Sequence, residues 1–211
     1  TKRPSLIVSL EMTPAKVLRR VILATGMIIE REDDAKAATL SLKAHLLFCD
    51  KTGSIAKEEL MEMMSYAHAR YGIAHVCIDS LMRVRGLEED YPAQNEFVTA
   101  LASFTRDTGV HIHLVAHPRK SNGHDAPQAH DVKGSGHIRD NADNVLVVWR
   151  NRKMERAEEN GESTEGMAPA KIIVEKDREE GDYKEFWMSY DKTKLSYNPM
   201  TPTFKQNSKS K

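Results

Sequence analysis

The chain lacks an excess of either charge, its 31 Lys and Arg being matched by 31 Asp and Glu. A chain that is neutral overall has no global positive field to attract nucleic acid, so any basic surface must be local. Cysteine is scarce as well. The two residues, Cys49 and Cys77, sit inside apolar, strand-like runs at a spacing that fits no metal motif. They read as buried free thiols of a reducing cytoplasm, with a disulfide left open. No apolar run approaches the roughly 20 residues that span a bilayer, and neither a signal-peptide pattern nor an internal repeat is visible. The first residue is Thr1 rather than an initiator Met, which reads as a segment cut or processed from something longer.

What is present describes a soluble globular protein. The 211 residues, 40% hydrophobic and 29% charged, suffice for one sizeable α/β core but are short for two full domains. Strands and helices alternate. A strand over 5–10 is followed by Thr13 and Pro14, an N-cap and first-turn pair predicting a helix to about Arg31. A strand over 45–49 follows. Ser54 then reads as the cap of a helix through Tyr71 ended by Gly72, with Leu60, Met63, Met64 and Ala67 on its core face. A strand over 74–79, an irregular stretch through 83–86, a helix near 93–108 and a strand over 110–116 complete the series. Such alternation implies a mostly parallel sheet covered on both faces. The polar segments 121–130 and 151–168 read as a loop and a surface excursion, and 170–178, 185–190 and 194–197 as a terminal antiparallel meander. The tail after 198 is poor in hydrophobes and reads as disordered.

The chemistry gathers at strand ends, where open parallel sheets bind ligands. Glu11 ends the first strand and is placed to orient or deprotonate a water; a helix-start carboxylate is the ordinary alternative. Asp79 follows Val-Cys-Ile and suits a Mg²⁺ site, against a simple turn-capping Asp. His117 could hydrogen-bond a terminal phosphate, and Arg119 and Lys120 follow it at once. The stretch 131–149 joins a basic, Gly-broken loop, with Lys133, Gly134, Gly136 and Arg139, to a polar turn and a buried β-branched strand. Lys176 and Arg178, two apart on one strand, project to one face and could reach a neighbour's nucleotide.

Taken in order, Ser9-Leu10-Glu11-Met12, Asp79, His117-Pro118-Arg119-Lys120, Gly134-Ser135-Gly136 with Ala142-Asp143-Asn144-Val145, and Lys176-Asp177-Arg178 resemble the C-terminal motor of DnaB-type hexameric replicative DNA helicases. The phage helicase-primase and mitochondrial Twinkle branch is the most similar, notably through His-Pro-Arg-Lys. The resemblance covers about residues 5–198 and implies a RecA-like P-loop NTPase fold that uses ATP or another NTP with Mg²⁺. It implies that Glu11 activates water, that Asp79 is the Walker B metal carboxylate and that His117 senses the γ-phosphate. By the same resemblance Arg119, Lys120, Lys133 and Gly134 track single-stranded DNA in a ring's central channel, and Lys176 and Arg178 enter the adjacent subunit's nucleotide site. It further implies a hexameric ring and the cytoplasm of a bacterial or phage-infected cell, with a mitochondrial compartment and a primase domain or partner left open.

Two departures stand out. Asp140 occupies the position at which the family carries Gln, and no Gly-x4-Gly-Lys-Ser/Thr occurs in the chain. The phosphate-cradling loop, with its strand and helix, is therefore expected upstream of Thr1, making 1–198 a motor without its Walker A segment that should neither hold ATP tightly nor turn over alone. A non-catalytic RecA-like module binding DNA or a partner, and a recombination or repair ATPase, are the competing function classes.

Overall fold

The structure, a computed structural model, describes residues 3–27, 29–87, 90–118, 126–128, 131, 136–181 and 183–201. It divides into two compact units, one over Thr1–Arg119 and Val132–Ala142, the other over Lys120–Asp131 and Asp143–Lys211. The expected α/β class is found, with a parallel sheet flanked by helices and a C-terminal antiparallel sheet.

In the first unit β1 (Ser5–Ser9), β2 (Leu46–Phe48), β4 (His75–Asp79) and β6 (His111–Val115) form a parallel sheet in the order β2-β1-β4-β6. Between β2 and β4 the chain forms β3 (Ile55–Ala56) and α3 (Lys57–Tyr71), and between β4 and β6 it forms β5 (Val84–Arg85) and α4 (Tyr91–Thr108). Alternation along the strands decides the core. Leu6 and Val8 of β1 and Val76 and Ile78 of β4 are buried against Leu60, Met64 and Ala67 of α3 and Phe97, Leu101 and Phe104 of α4. Met63, expected on the same helix face, is partly buried beside that cluster. A short helix, α5 (Gly136–Asn141), adds Ile138 to it. Gly72 and Gly109 end α3 and α4 in the left-handed region, with φ of 61° and 69°, where a side chain would cost energy.

Several expectations need correction. The helix predicted to run to Arg31 stops early: α1 spans Pro14–Ala24, and Gly26 at φ 78° turns the chain away. A second helix, α2 (Glu32–Leu42), follows with Glu32, Asp33 and Asp34 in its first turn, where the helix dipole favours carboxylates. Asp34 accepts the backbone N–H of Arg31 at 2.9 Å and of Glu30 at 3.3 Å. Ser54 does not cap α3. Ile55 and Ala56 instead pair in parallel with Val84 and Arg85, so the helix starts at Lys57. On β6, Ile112 and Leu114 face the core, while His111, His113 and Val115 are exposed. Both cysteines are free, Cys49 buried and Cys77 half-buried.

The second unit is an antiparallel meander of β7 (Asn144–Arg150), β8 (Ala170–Asp177), β9 (Lys184–Asp191) and β10 (Ser196–Pro199), in the order β10-β9-β8-β7. Among the described residues the strand expected to be buried, β7, pairs only with β8, and Leu146 and Val148 are 61% and 60% exposed. The 151–168 excursion contains α6 (Arg152–Glu159), set by Asn151, which is itself buried. Its Oδ1 accepts the Met154 N–H at 3.0 Å while its Nδ2 donates to the Ala168 carbonyl at 3.0 Å. On one sheet face the Lys171 ammonium lies 6.0 Å from the Trp149 ring and 5.7 Å from the Trp187 ring, and 2.6 Å from Glu185.

Candidate functional site

Parallel pairing in register aligns the carboxyl ends of three strands. Ser9 lies beside Asp79, and Asp79 beside Val115, so Glu11 and His117, each two residues past a strand end, emerge on the same edge as Asp79. The Leu10 N–H donates to the Asp79 carbonyl at 2.7 Å, and Leu10 is buried, which extends the pairing up to Glu11. The backbone therefore sets the spacing before any side chain acts.

Side chains complete the arrangement. One carboxylate oxygen of Glu11, Oε1, is 3.3 Å from His117 Nε2, accepts the Ser80 hydroxyl at 3.2 Å and lies 3.5 Å from Arg83 Nε. An ionised carboxylate only accepts hydrogen bonds, so the imidazole contact requires a proton on Nε2. The hydrogen bond to His117 is the largest influence holding the Glu11 carboxyl below its ordinary range; partial burial opposes it, and Ser80 and the charge of Arg83 reinforce it. Ser9, nearly fully buried, donates its hydroxyl to Asp79 Oδ2 at 3.4 Å.

The structure thus brings together Glu11, Asp79 and His117, which the sequence nominates. It also adds three residues that sequence reasoning missed. Ser9 and Ser80 flank nominated carboxylates and were overlooked because serine at a strand end is common. Arg83 sits in a stretch read only as irregular; the signal was Leu81, whose side chain is fully buried and tightens the chain into a 3-10 turn over Leu81–Arg83 that returns to the edge.

Asp79 offers a hard oxygen ligand at the carboxyl edge of the sheet, beside the Ser9 hydroxyl. That donor set suits Mg²⁺, which binds one or two carboxylates and fills its shell with phosphate oxygens and water. Among the described residues no group of three or more His, Cys, Asp or Glu forms a self-sufficient metal cage.

Lys176 and Arg178 belong to the other unit. Lys176 lies on β8, opposite Val145, and Arg178 stands one residue past its end. β8 is an interior strand between β7 and β9, not an outer one. Arg178 pairs with Asp143 at 2.7 Å, and its backbone N–H donates to the Asp143 carbonyl at 3.0 Å. A cleft of about 420 Å³ in this unit, lined by Gln128, Glu175, Tyr183 and Glu185 among others, includes no nominated residue. Arg119, Lys120, Lys133 and Gly134 lie outside the described residues. Among the described residues no helix is long and apolar enough to cross a membrane.

The family model of the DnaB-like helicase C terminal domain matches residues 1–199. The Twinkle homolog protein, chloroplastic/mitochondrial, of Arabidopsis thaliana is 28% identical over 188 residues, an alignment covering 83% of this chain and 25% of that protein. The chain therefore spans about a quarter of that relative's length. With the family matched over almost the whole chain and acidic and imidazole groups converging at the carboxyl edge of its parallel sheet, the chain belongs to the DnaB-like helicase C-terminal domain family.

Proposed function

We propose that this chain is the part of an ATP-driven replicative DNA helicase motor that follows its Walker A segment, and that the intact protein couples NTP hydrolysis to movement along single-stranded DNA within a hexameric ring. The observation that carries the reading is the Glu11–His117 contact of 3.3 Å beside Asp79 on in-register strand ends. Glu11 accepts a proton from a water whose oxygen attacks the γ-phosphorus, as the bond to the β,γ-bridging oxygen breaks and the diphosphate leaves. A carboxylate is ionised at neutral pH and can take up that proton. Asp79 would hold Mg²⁺, which supplies neutralisation of the phosphate charge when bound. His117 contacts the γ-phosphate and, being bonded to Glu11, links occupancy of the site to the state of the base.

Lys176 and Arg178 reach the nucleotide of an adjacent copy. Arg178 is held by Asp143 across an ion pair with both side chains more than half exposed. Exposed pairs of this kind contribute only about 0–1 kcal/mol, which a phosphate can displace. Groups acting in trans in this way contribute about 10³–10⁵ in rate in nucleotide hydrolases. Arg119, Lys120, Lys133 and Gly134 form the local basic contact with single-stranded DNA that a neutral chain requires.

Assembly is tested by mixing. Copies of the native protein carrying Arg178→Ala and copies carrying Glu11→Gln are each expected to be nearly inactive, and together to regain turnover. Random exchange at equal amounts makes about a quarter of ring interfaces pair an intact Glu11 with an intact Arg178. No recovery in rings shown to exchange subunits means that Arg178 does not act across an interface.

A further inference from the structure

Glu11 is held by more than His117. The turn over Leu81–Arg83 is anchored on both sides: Ser80 and Leu81 are fully buried, the Arg83 N–H donates to the Ser80 carbonyl at 2.9 Å, and Val84 pairs with Ile55. From this rigid turn the Ser80 hydroxyl reaches Glu11 Oε1 at 3.2 Å and Arg83 Nε reaches the same atom at 3.5 Å. Among the described residues no hydrogen bond falls on the other oxygen, Oε2. An oxygen already accepting several donors is the poorer proton acceptor of the two. Proton transfer is thereby directed to Oε2.

We propose that Arg83, assisted by Ser80, is a positioning residue for Glu11, holding its carboxylate by one oxygen so that the other faces the attacking water. This rests on the reading of Glu11 as the base. The reason for a second holder lies in His117: when that imidazole turns from Glu11 to a phosphate, Ser80 and Arg83 still hold the carboxylate in place. An arginine suits the task because its guanidinium stays charged across the whole working pH range and its planar Nε–H points in a fixed direction.

The test measures NTP turnover against pH in the native protein, together with a ¹³C-carboxyl titration of Glu11, for Arg83→Ala, Arg83→Lys and Ser80→Ala. Loss of alignment at a reacting group is expected to lower kcat roughly 10- to 100-fold in Arg83→Ala with KM for the nucleotide within about 2-fold of wild type. The acid limb of turnover and the Glu11 titration should both move upward. Arg83→Lys should restore the titration but only part of kcat, and Ser80→Ala should act in the same direction with a smaller loss. In a Glu11→Gln background Arg83→Ala should add nothing. Unchanged kcat and an unchanged Glu11 titration in Arg83→Ala overturn the proposal while leaving Glu11 as the base. A raised KM with an unmoved Glu11 titration also overturns it, because Arg83 then touches the nucleotide. If Glu11→Gln itself keeps turnover, the reading of the site and the positioning role fail together.

Discussion

Two hydrogen bonds and an ion pair meeting one oxygen of Glu11 illustrate how much the site's geometry depends on single side chains whose neighbours in sequence are unremarkable. Glu11, Asp79 and His117 are legible because each ends an apolar run, and a run of that kind marks a strand whose end faces ligand. Ser80 and Arg83 are not legible in that way, since their reach to Glu11 depends on a long-range register between β1 and β4. The proposed DNA contact belongs to the same scale. Each phosphate neutralised on a single strand contributes about 0.7 to the slope of log affinity against log salt. Lys120→Ala with Lys133→Ala should therefore weaken single-stranded DNA binding and flatten that slope by about 1.4. A double variant with the wild-type slope would place the DNA elsewhere on the molecule.

At the scale of elements, one face of the parallel sheet gathers three imidazoles. His75 and His111 are direct register partners, and His113 follows two residues on. The His111 and His113 ring centroids are 4.4 Å apart, and His75 lies 5.8 Å from each. Cys77 is the register partner of His113, and Asp79 ends the same strand. Partial desolvation of the ring, reinforced by His111 and His75, pushes the His113 pKa below the ordinary histidine value. The neutral ring is therefore favoured by folding. Its contribution to stability is complete above the unfolded pKa of about 6.5 and is lost as pH falls from there to the lower folded value, after which it is constant. Thermal unfolding should show a midpoint that drops on acidification through this window, and His113→Gln should flatten the drop. An equal pH dependence in both proteins would show that the cluster does not couple to folding.

Elements also show where local sequence signals end. Gly72 stops its helix where expected, because a left-handed residue after an amphipathic run is a local property. The start of α3 was misplaced at Ser54 because two residues with ordinary helix-entry chemistry are recruited by β5, some 30 positions away. Asp34 and Asn151 begin helices that periodicity did not reveal, since α2 buries only Ala38 and α6 only Ala157.

For the whole molecule, the order of motifs along the chain carried more than any one of them. Alternating strands and helices made the parallel sheet legible, and the polar, turn-separated strands near the end made the meander legible. That β7 joins the meander and exposes Leu146 and Val148 was not, because a β-branched run looks the same in a buried parallel strand and in an outer antiparallel one. The site's edge followed from topology alone: once β1, β4 and β6 are parallel and adjacent, their carboxyl ends must share one side. The account stands on that edge being where nucleotide is hydrolysed. It is tested most directly by Glu11→Gln in the native protein, with nucleotide binding and turnover measured separately. Loss of a general base should lower turnover about 10²–10⁴-fold while binding stays near wild type, because the amide keeps the size of the carboxylate and removes its proton affinity. Turnover within a few-fold of wild type, or binding lost together with turnover, would contradict the account.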